Sequence, residues 1–272
     1  MSSPILYDTH MHTPLCKHAR GDPEEYAAVA EQRGLKGLVF TCHNPDPNGW
    51  APKVRMEVSE FDDYVALVER ARQEWKGRVD VLLGLESDYV PGMESWLEKL
   101  HSMAPLNYVL GSVHCHFAQY RELYFNGDVR AFQRTYFDHL ALAAETGLFD
   151  CLSHPDLVKN VYPEEWQPDE ILEDICKALD RISATGTAME LNTSGLNKRI
   201  PEMNPAAFML REMQTRNIPV VIGSDSHDSY RVAADFRMAL KRLKDAGYSH
   251  AHFFINREMQ RVLISDAAAS LR

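Results

Sequence analysis

The chain has 272 residues, 45% of them hydrophobic and 25% charged, ordinary globular values that exclude a disordered, fibrous or low-complexity chain. Thirty-nine acidic against 29 basic residues leave a net charge of -10, the wrong sign for general binding to a nucleic-acid backbone. No stretch reaches the ~18 consecutive apolar residues of a membrane span, and the length suits a one-core α/β barrel or a pair of small domains.

Short β-rich runs alternate with longer amphipathic stretches, which predicts strand-helix units around a mostly parallel sheet. A strand from Ile5 to Asp8 leads to a helix from Pro23 to Arg33, a strand from Gly37 to Thr41 to a helix from Phe61 to Trp75, and a strand from Val81 to Glu86 to a helix from Met93 to His101. Strands from Tyr108 to Val113 and Phe149 to His154 are followed by helices from Val129 to Thr146 and Pro168 to Ala184. The last expected strands, Ala188 to Asn192, Pro219 to Gly223 and His252 to Ile255, precede helices from Asn204 to Arg216, Tyr230 to Ala246 and Arg257 to Ala268.

Asp22-Pro23-Glu24-Glu25 supplies an N-cap, a first-turn proline and two carboxylates at the positive helix end, and Gly34 follows where a left-handed cap is wanted. Gly147, Gly186 and Gly247 end later helices in the same way. No Gly/Ser-rich or Pro-rich linker and no internal repeat marks a boundary, so residues 1–272 read as one domain. The five cysteines, Cys16, Cys42, Cys115, Cys151 and Cys176, are widely spaced without a CxxC pair, which predicts reduced thiols rather than disulfides or a cysteine zinc knuckle. With no basic start and apolar run at the N-terminus, a cytoplasmic location is expected.

In a parallel α/β sheet the chemistry gathers beyond the carboxyl ends of the strands. The first strand runs into Asp8-Thr9-His10-Met11-His12, with His18 in the following loop, and the second into Cys42-His43. The third ends on Glu86, the fourth delivers His114, the fifth His154, and the seventh Ser224-Asp225-Ser226-His227. Seven of the 12 histidines thus fall at or just past a strand end, and the pattern converges on one mouth.

Imidazole and carboxylate suit Zn, Mn or Fe better than an all-oxygen magnesium or calcium site. These candidates exceed what one ion uses with a position left open, so two or three divalent transition-metal ions are expected. Alternate residues of an extended backbone share a face, which aims the rings of His10 and His12 at one ion. His116, two residues after His114, is a candidate for the same mouth as a substrate contact or catalytic group. His101, His139, His250 and His252 lack a partner motif and read as structural or surface residues.

The blocks DTHMH with His18, TCHNP around His43, GLE at Glu86, GSVH at His114, SHPDL at His154 and GSDSH at Asp225 and His227 stand in one order along nearly the whole chain. In them the chain resembles the PHP (polymerase and histidinol phosphatase) superfamily of metal-dependent phosphoesterases. Its length, the loop carrying His18 and ELNTSGLNKR after the sixth strand are most similar to the monofunctional histidinol-phosphate phosphatases.

The resemblance implies a distorted (β/α)7 barrel, TIM-barrel-like, with a trinuclear centre at the C-terminal ends of its strands. It assigns His10, His12, Glu86 and Asp225 to one ion, Glu86 with His114 and His154 to a second, and His18, His43 and His227 to a third, with Glu86 bridging the first two. The implied reaction is hydrolysis of L-histidinol phosphate to L-histidinol and phosphate in histidine biosynthesis; the alternative is a PHP phosphoesterase acting on nucleotides or other small phosphate esters. An amidohydrolase-type C-N hydrolase would place a lysine between two metals, and none stands at a suitable strand end. A non-catalytic metal-binding domain would have lost ligands, and the set here is full.

Divalent ions, offset only in part by Glu86 and Asp225, would leave the mouth cationic and suited to a phosphate dianion, with water activated for in-line attack. Arg199, then Lys198 and Lys159, are the candidates for holding the phosphoryl group. The proton for the leaving alcohol is assigned to none of Asp156, Asp228 and a bound water in particular. The loop from Asn44 to Glu57, with Asp46, Trp50 and Glu57, is expected to meet the substrate's ammonium and imidazole. The partner is therefore a small-molecule phosphate ester, with neither membrane nor nucleic acid expected and the oligomeric state open.

Overall fold

The computed structural model describes residues 3–272. Its strands are β1 (Tyr7–Met11), β2 (Gly37–Phe40), β3 (Asp80–Asp88), β4 (Tyr108–Ser112), β5 (Cys151–Leu152), β6 (Ala188–Asn192), β7 (Val220–Gly223), β8 (His250–Ile255) and β9 (Glu258–Leu263), adjacent in chain order. The first eight pair in parallel, and β9 returns antiparallel to β8. Between them lie α1 (Pro23–Arg33), α2 (Phe61–Glu74), α3 (Glu94–Ser102), α4 (Ala118–Tyr124), α5 (Val129–Glu145), α6 (Leu172–Thr185), α7 (Ala207–Thr215) and α8 (Phe236–Asp245), with α9 (Ile264–Ser270) at the end.

Local sequence explains the best-defined element. Pro23 opens α1 behind Asp22, whose backbone N–H donates to Glu25 Oε1 at 3.1 Å, and Gly34 closes it at φ 77°. That conformation carries no penalty in glycine.

Strand side chains alternate between two faces, and each face has its own apolar cluster. The larger packs the sheet against the helices and runs from Leu6 to Leu271. The smaller gathers Val39, Leu110, Cys151, Ala188 and Val221 on the opposite face, closed by Phe254. Two residues further on, the same face turns polar at Thr41, Ser112 and Glu190, and Gly223 leaves room beside Glu190. An apolar floor therefore lies beneath a polar rim at the carboxyl ends of the strands.

The α/β architecture with a parallel sheet stands as expected. The strand order does not close into one hydrogen-bonded ring, since β1 and β9 do not pair. The end of β1 instead meets the segment after β7, where His12 N donates to Ser226 O at 2.9 Å and Ser226 N to His10 O at 3.1 Å.

The helix expected from Arg257 to Ala268 is a correction. Asn256 and Arg257 both have positive φ, 52° and 64°, the geometry of a two-residue hairpin turn, and β9 folds back on β8 before α9 begins. The expected fifth strand shrinks to Cys151–Leu152, and α8 starts at Phe236 because Ser229–Arg231 forms a 3-10 turn. Helix α4, seven residues long, was not expected. Among the described residues no helix is long and apolar enough to cross a membrane.

Candidate metal centre

Glu86 stands at the centre of the polar rim and is 1% exposed. Its Oε2 lies 3.5 Å from His10 Nε2, 3.6 Å from His12 Nε2 and 2.8 Å from His43 Nδ1. Its Oε1 lies 3.3 Å from His114 Nε2 and 3.1 Å from His154 Nε2, and accepts from Ser112 Oγ at 2.6 Å. One carboxylate thus presents its two oxygens to two groups of imidazoles. Asp225 Oδ1 reaches the same rings from the β7 side, 3.6 Å from His10 and 3.4 Å from His12. His227 stacks on His12 with ring centroids 4.0 Å apart, and His18 lies 4.4 Å from His227 and 5.5 Å from His43.

The backbone bends to make this possible. His154 and Asp225 adopt positive φ of 25° and 51°, a region disfavoured for residues with a Cβ. Both sit just past strand ends, where the turn aims their side chains at the mouth.

The donor set fits divalent transition-metal ions. His10 Nε2, His12 Nδ1 and Nε2, His43 Nδ1, Glu86 Oε2 and His227 Nε2 are buried without a hydrogen-bond partner, an expensive arrangement unless a cation completes it. Burial alone would raise the carboxyls of Glu86 and Asp225, but the surrounding rings, His43 and His10 for Glu86 and His10 and His12 for Asp225, hold both well below the usual range. Burial pushes His43 down to about 4 and His227 well down, so these two rings are neutral, whereas the carboxylates beside them outweigh burial and push His10 well up, His12 up to about 9 and His114 up to about 10, so a cation bound there takes the place of their protons.

Ring orientation is set from behind. Glu190 Oε1 lies 2.7 Å from His10 Nδ1, and Asp88 Oδ1 2.7 Å from His114 Nδ1. The carbonyls of Cys16 and Asp225 lie 2.7 and 3.1 Å from Nδ1 of His18 and His227. Such partners fix the tautomer of a ligating histidine. Glu190, Asp88 and Arg55 were missed in the sequence. For Asp88 and Glu190 a signal existed: each is an acidic residue in a strand, two positions from Glu86 and Asn192 on the rim-facing side.

A cavity of about 140 Å³ opens above this cluster, lined in part by His18, His43, Glu86, His114, His116, His154, Lys198, Asp225 and His227. His116 stands exposed at its edge. Three expected substrate contacts lie elsewhere. Lys159 is fully buried, with its ammonium 2.9 Å from Asp156 Oδ2 and 3.1 Å from the Met203 carbonyl, so it braces the wall instead of meeting phosphate. Asp156 accepts from Lys159, Asn204 Nδ2 and Ala206 N, which ties up both oxygens.

Trp50 is buried, and its Nε1 donates to Asp88 Oδ2 at 2.8 Å; the cavity lining takes Val54 from this loop instead. Arg199 is exposed and outside the lining, whereas its neighbour Lys198 lines it. At the end of the 3-10 turn Thr193–Asn197 after β6, the side chain at 198 is the one that lines the cavity.

A family profile described as PHP domain matches residues 8–194. A "probable histidinol-phosphatase" of Deinococcus radiodurans is 38% identical over 94% of this chain and 98% of its own length, and the "histidinol-phosphatase" of Bacillus subtilis is 26% identical over 86% and 98%. The fold is similar to that of a histidinol phosphate phosphatase from Lactococcus lactis, solved in complex with zinc, L-histidinol and phosphate, at a TM-score of 0.80, 19% identity and coverage of 94% of this chain and 98% of that one. The chain belongs to the PHP domain family.

Proposed function

We propose that the chain is a metal-dependent phosphomonoesterase that hydrolyses L-histidinol phosphate to L-histidinol and phosphate in histidine biosynthesis. The observation that carries this reading is Glu86, whose two oxygens face His10, His12 and His43 on one side and His114 and His154 on the other. The relatives' names supply the substrate. The ligand groups follow the resemblance: His10, His12, Glu86 and Asp225; Glu86, His114 and His154; His18, His43 and His227. Two or three zinc, manganese or iron ions held there would acidify water and offset the charge of a phosphate dianion.

The rest of the work falls to the chain itself. Lys198 brings an ammonium to the cavity for the phosphoryl oxygens. Ser194 Oγ donates to Asp225 Oδ2 at 2.9 Å and holds that carboxylate towards His10 and His12. His116 and Phe117, on the cavity wall, offer ring surface to the imidazole of the alcohol half. Buried Trp50 and Arg55 fasten the loop that forms one side of the mouth.

The same reading takes the sheet as a distorted (β/α)7 barrel, supported by the bridge between Met11 and Ser226 that brings the end of β1 to the β7 side. It takes residues 1–272 as a single domain, supported by the apolar cluster that extends from Leu6 to Leu271, and expects a cytoplasmic location. The test is phosphate release by metal-loaded protein from L-histidinol phosphate, p-nitrophenyl phosphate and a nucleoside monophosphate. The reading expects kcat/KM to favour histidinol phosphate clearly; equal values for all three would reject the substrate assignment.

A further inference from the structure

Four rings of the cluster have an oxygen close behind them: His10 has Glu190, His114 has Asp88, and His18 and His227 have main-chain carbonyls. His12 has none. It is fully buried, its Nε2 points to Glu86 and Asp225, and its Nδ1 has no hydrogen-bond partner by ordinary geometry. Two sulfurs lie close to this ring. The donor atoms of His12, Cys16 and Cys42 are all within 4.8 Å of one another, and both thiols are buried and reduced. Cys42 Sγ also accepts from Thr13 Oγ1 at 3.3 Å.

We propose that Cys42 is the positioning residue of His12: its sulfur takes the Nδ1–H, fixing the tautomer that leaves Nε2 free for a cation, while Thr13 and Cys16 orient that sulfur. This rests on the reading of His12 as a metal ligand. The chemistry suits the place. Glu86 and Asp225 already bury two carboxylates beside this ring, and a third would add a charge to desolvate. Sulfur is a soft, polarisable acceptor, suited to a ring N–H that no oxygen reaches. The backbone fits the role as well, since Cys42 N–H is directed at Tyr64 Oη, 3.3 Å away, and Cys42 precedes His43, so the sulfur is anchored from the strand end that delivers a neighbouring ring.

The test uses zinc-loaded protein. Long-range proton-nitrogen NMR of the 15N-histidine-labelled parent should find His12 protonated on Nδ1 and metal-bound through Nε2. In competition with a chromophoric chelator, Cys42→Ala should bind zinc about ten- to a hundredfold more weakly, the usual effect of losing such a partner. The thermal midpoint of the zinc-free protein should fall only slightly, as for the loss of one buried sulfur atom, and Cys42→Ser should recover part of the affinity. Parental zinc affinity in Cys42→Ala, or a His12 ring protonated on Nε2 in the parent, overturns the proposal while leaving the metal centre intact. A parent that binds no zinc removes the metal reading and this proposal with it. If Cys42→Ala does not fold, the parent's spectrum decides.

Discussion

Glu190 Oε1 lies 2.7 Å from His10 Nδ1, with neither side chain exposed to solvent. Its other oxygen accepts from the backbone N–H of His154 at 2.9 Å and from Asn192 Nδ2 at 3.0 Å. One carboxylate on β6 therefore orients a ring from β1 and the backbone that carries a ring from β5. Glu190→Gln should weaken zinc binding about ten- to a hundredfold, measured by chelator competition. Parental affinity would reduce Glu190 to a packing role.

The position of Glu190 depends in turn on a missing side chain. A Cβ at Gly223 would stand 2.0 Å from Glu190 Oε1 and 2.7 Å from His10 Cβ, closer than atoms can approach. Gly223→Ala should displace both and cut activity more than about tenfold, with a stability loss of about 1–3 kcal/mol from overpacking. Activity and thermal melting measured together check this, and a variant matching the parent in both would contradict the geometry.

Arg55 and Asp88 form a buried pair, 2.6 Å apart and each 2% exposed. Losing one partner of such a pair costs about 3–5 kcal/mol, so Arg55→Met should lower the denaturation midpoint sharply. Burial works to raise the Asp88 carboxyl, but Arg55 and His114 hold it well below the usual range. A carboxyl depressed on folding stabilises above its unfolded value of about 3.9 and loses that contribution as pH falls below it. Asp88→Asn should therefore melt with a shallower dependence on pH below about 4 in metal-free protein. An unchanged slope would count against the pair.

The strand ends that carry the cluster were legible because parallel strands read as apolar runs and the polar residue that ends each run is conspicuous. Glu86 and His114 are such cases. The partners behind the rings left only a weak signal, because Asp88 and Glu190 each look like one more strand carboxylate until His114 or His10 is folded against it. Lys159 and Trp50 misled for the opposite reason. Both types are common in binding sites, and only the fold shows that Asp156 takes the lysine and Asp88 the indole. The final hairpin was hidden because the residues of β9 also satisfy a helical pattern, and positive φ at Asn256 and Arg257 settles the matter in favour of a turn.

Lys198 and Arg199 separate two readings of the same basic pair. Lys198 lines the cavity and Arg199 does not. Lys198→Ala should raise KM for phosphate esters roughly tenfold, the value of one charge-assisted hydrogen bond, while Arg199→Ala should change it less than about twofold. Steady-state kinetics with L-histidinol phosphate decides, and the reverse ranking would mean that the arginine swings inward to meet substrate.

The most direct measurement is the metal content of the purified protein after metal loading and gel filtration, for the parent and for Glu86→Ala. Two or three ions per chain are expected in the parent, with at least one lost in Glu86→Ala together with phosphate release from L-histidinol phosphate. A parent that retains no transition metal, or a Glu86→Ala protein that keeps both its full complement of ions and its activity, would contradict the account.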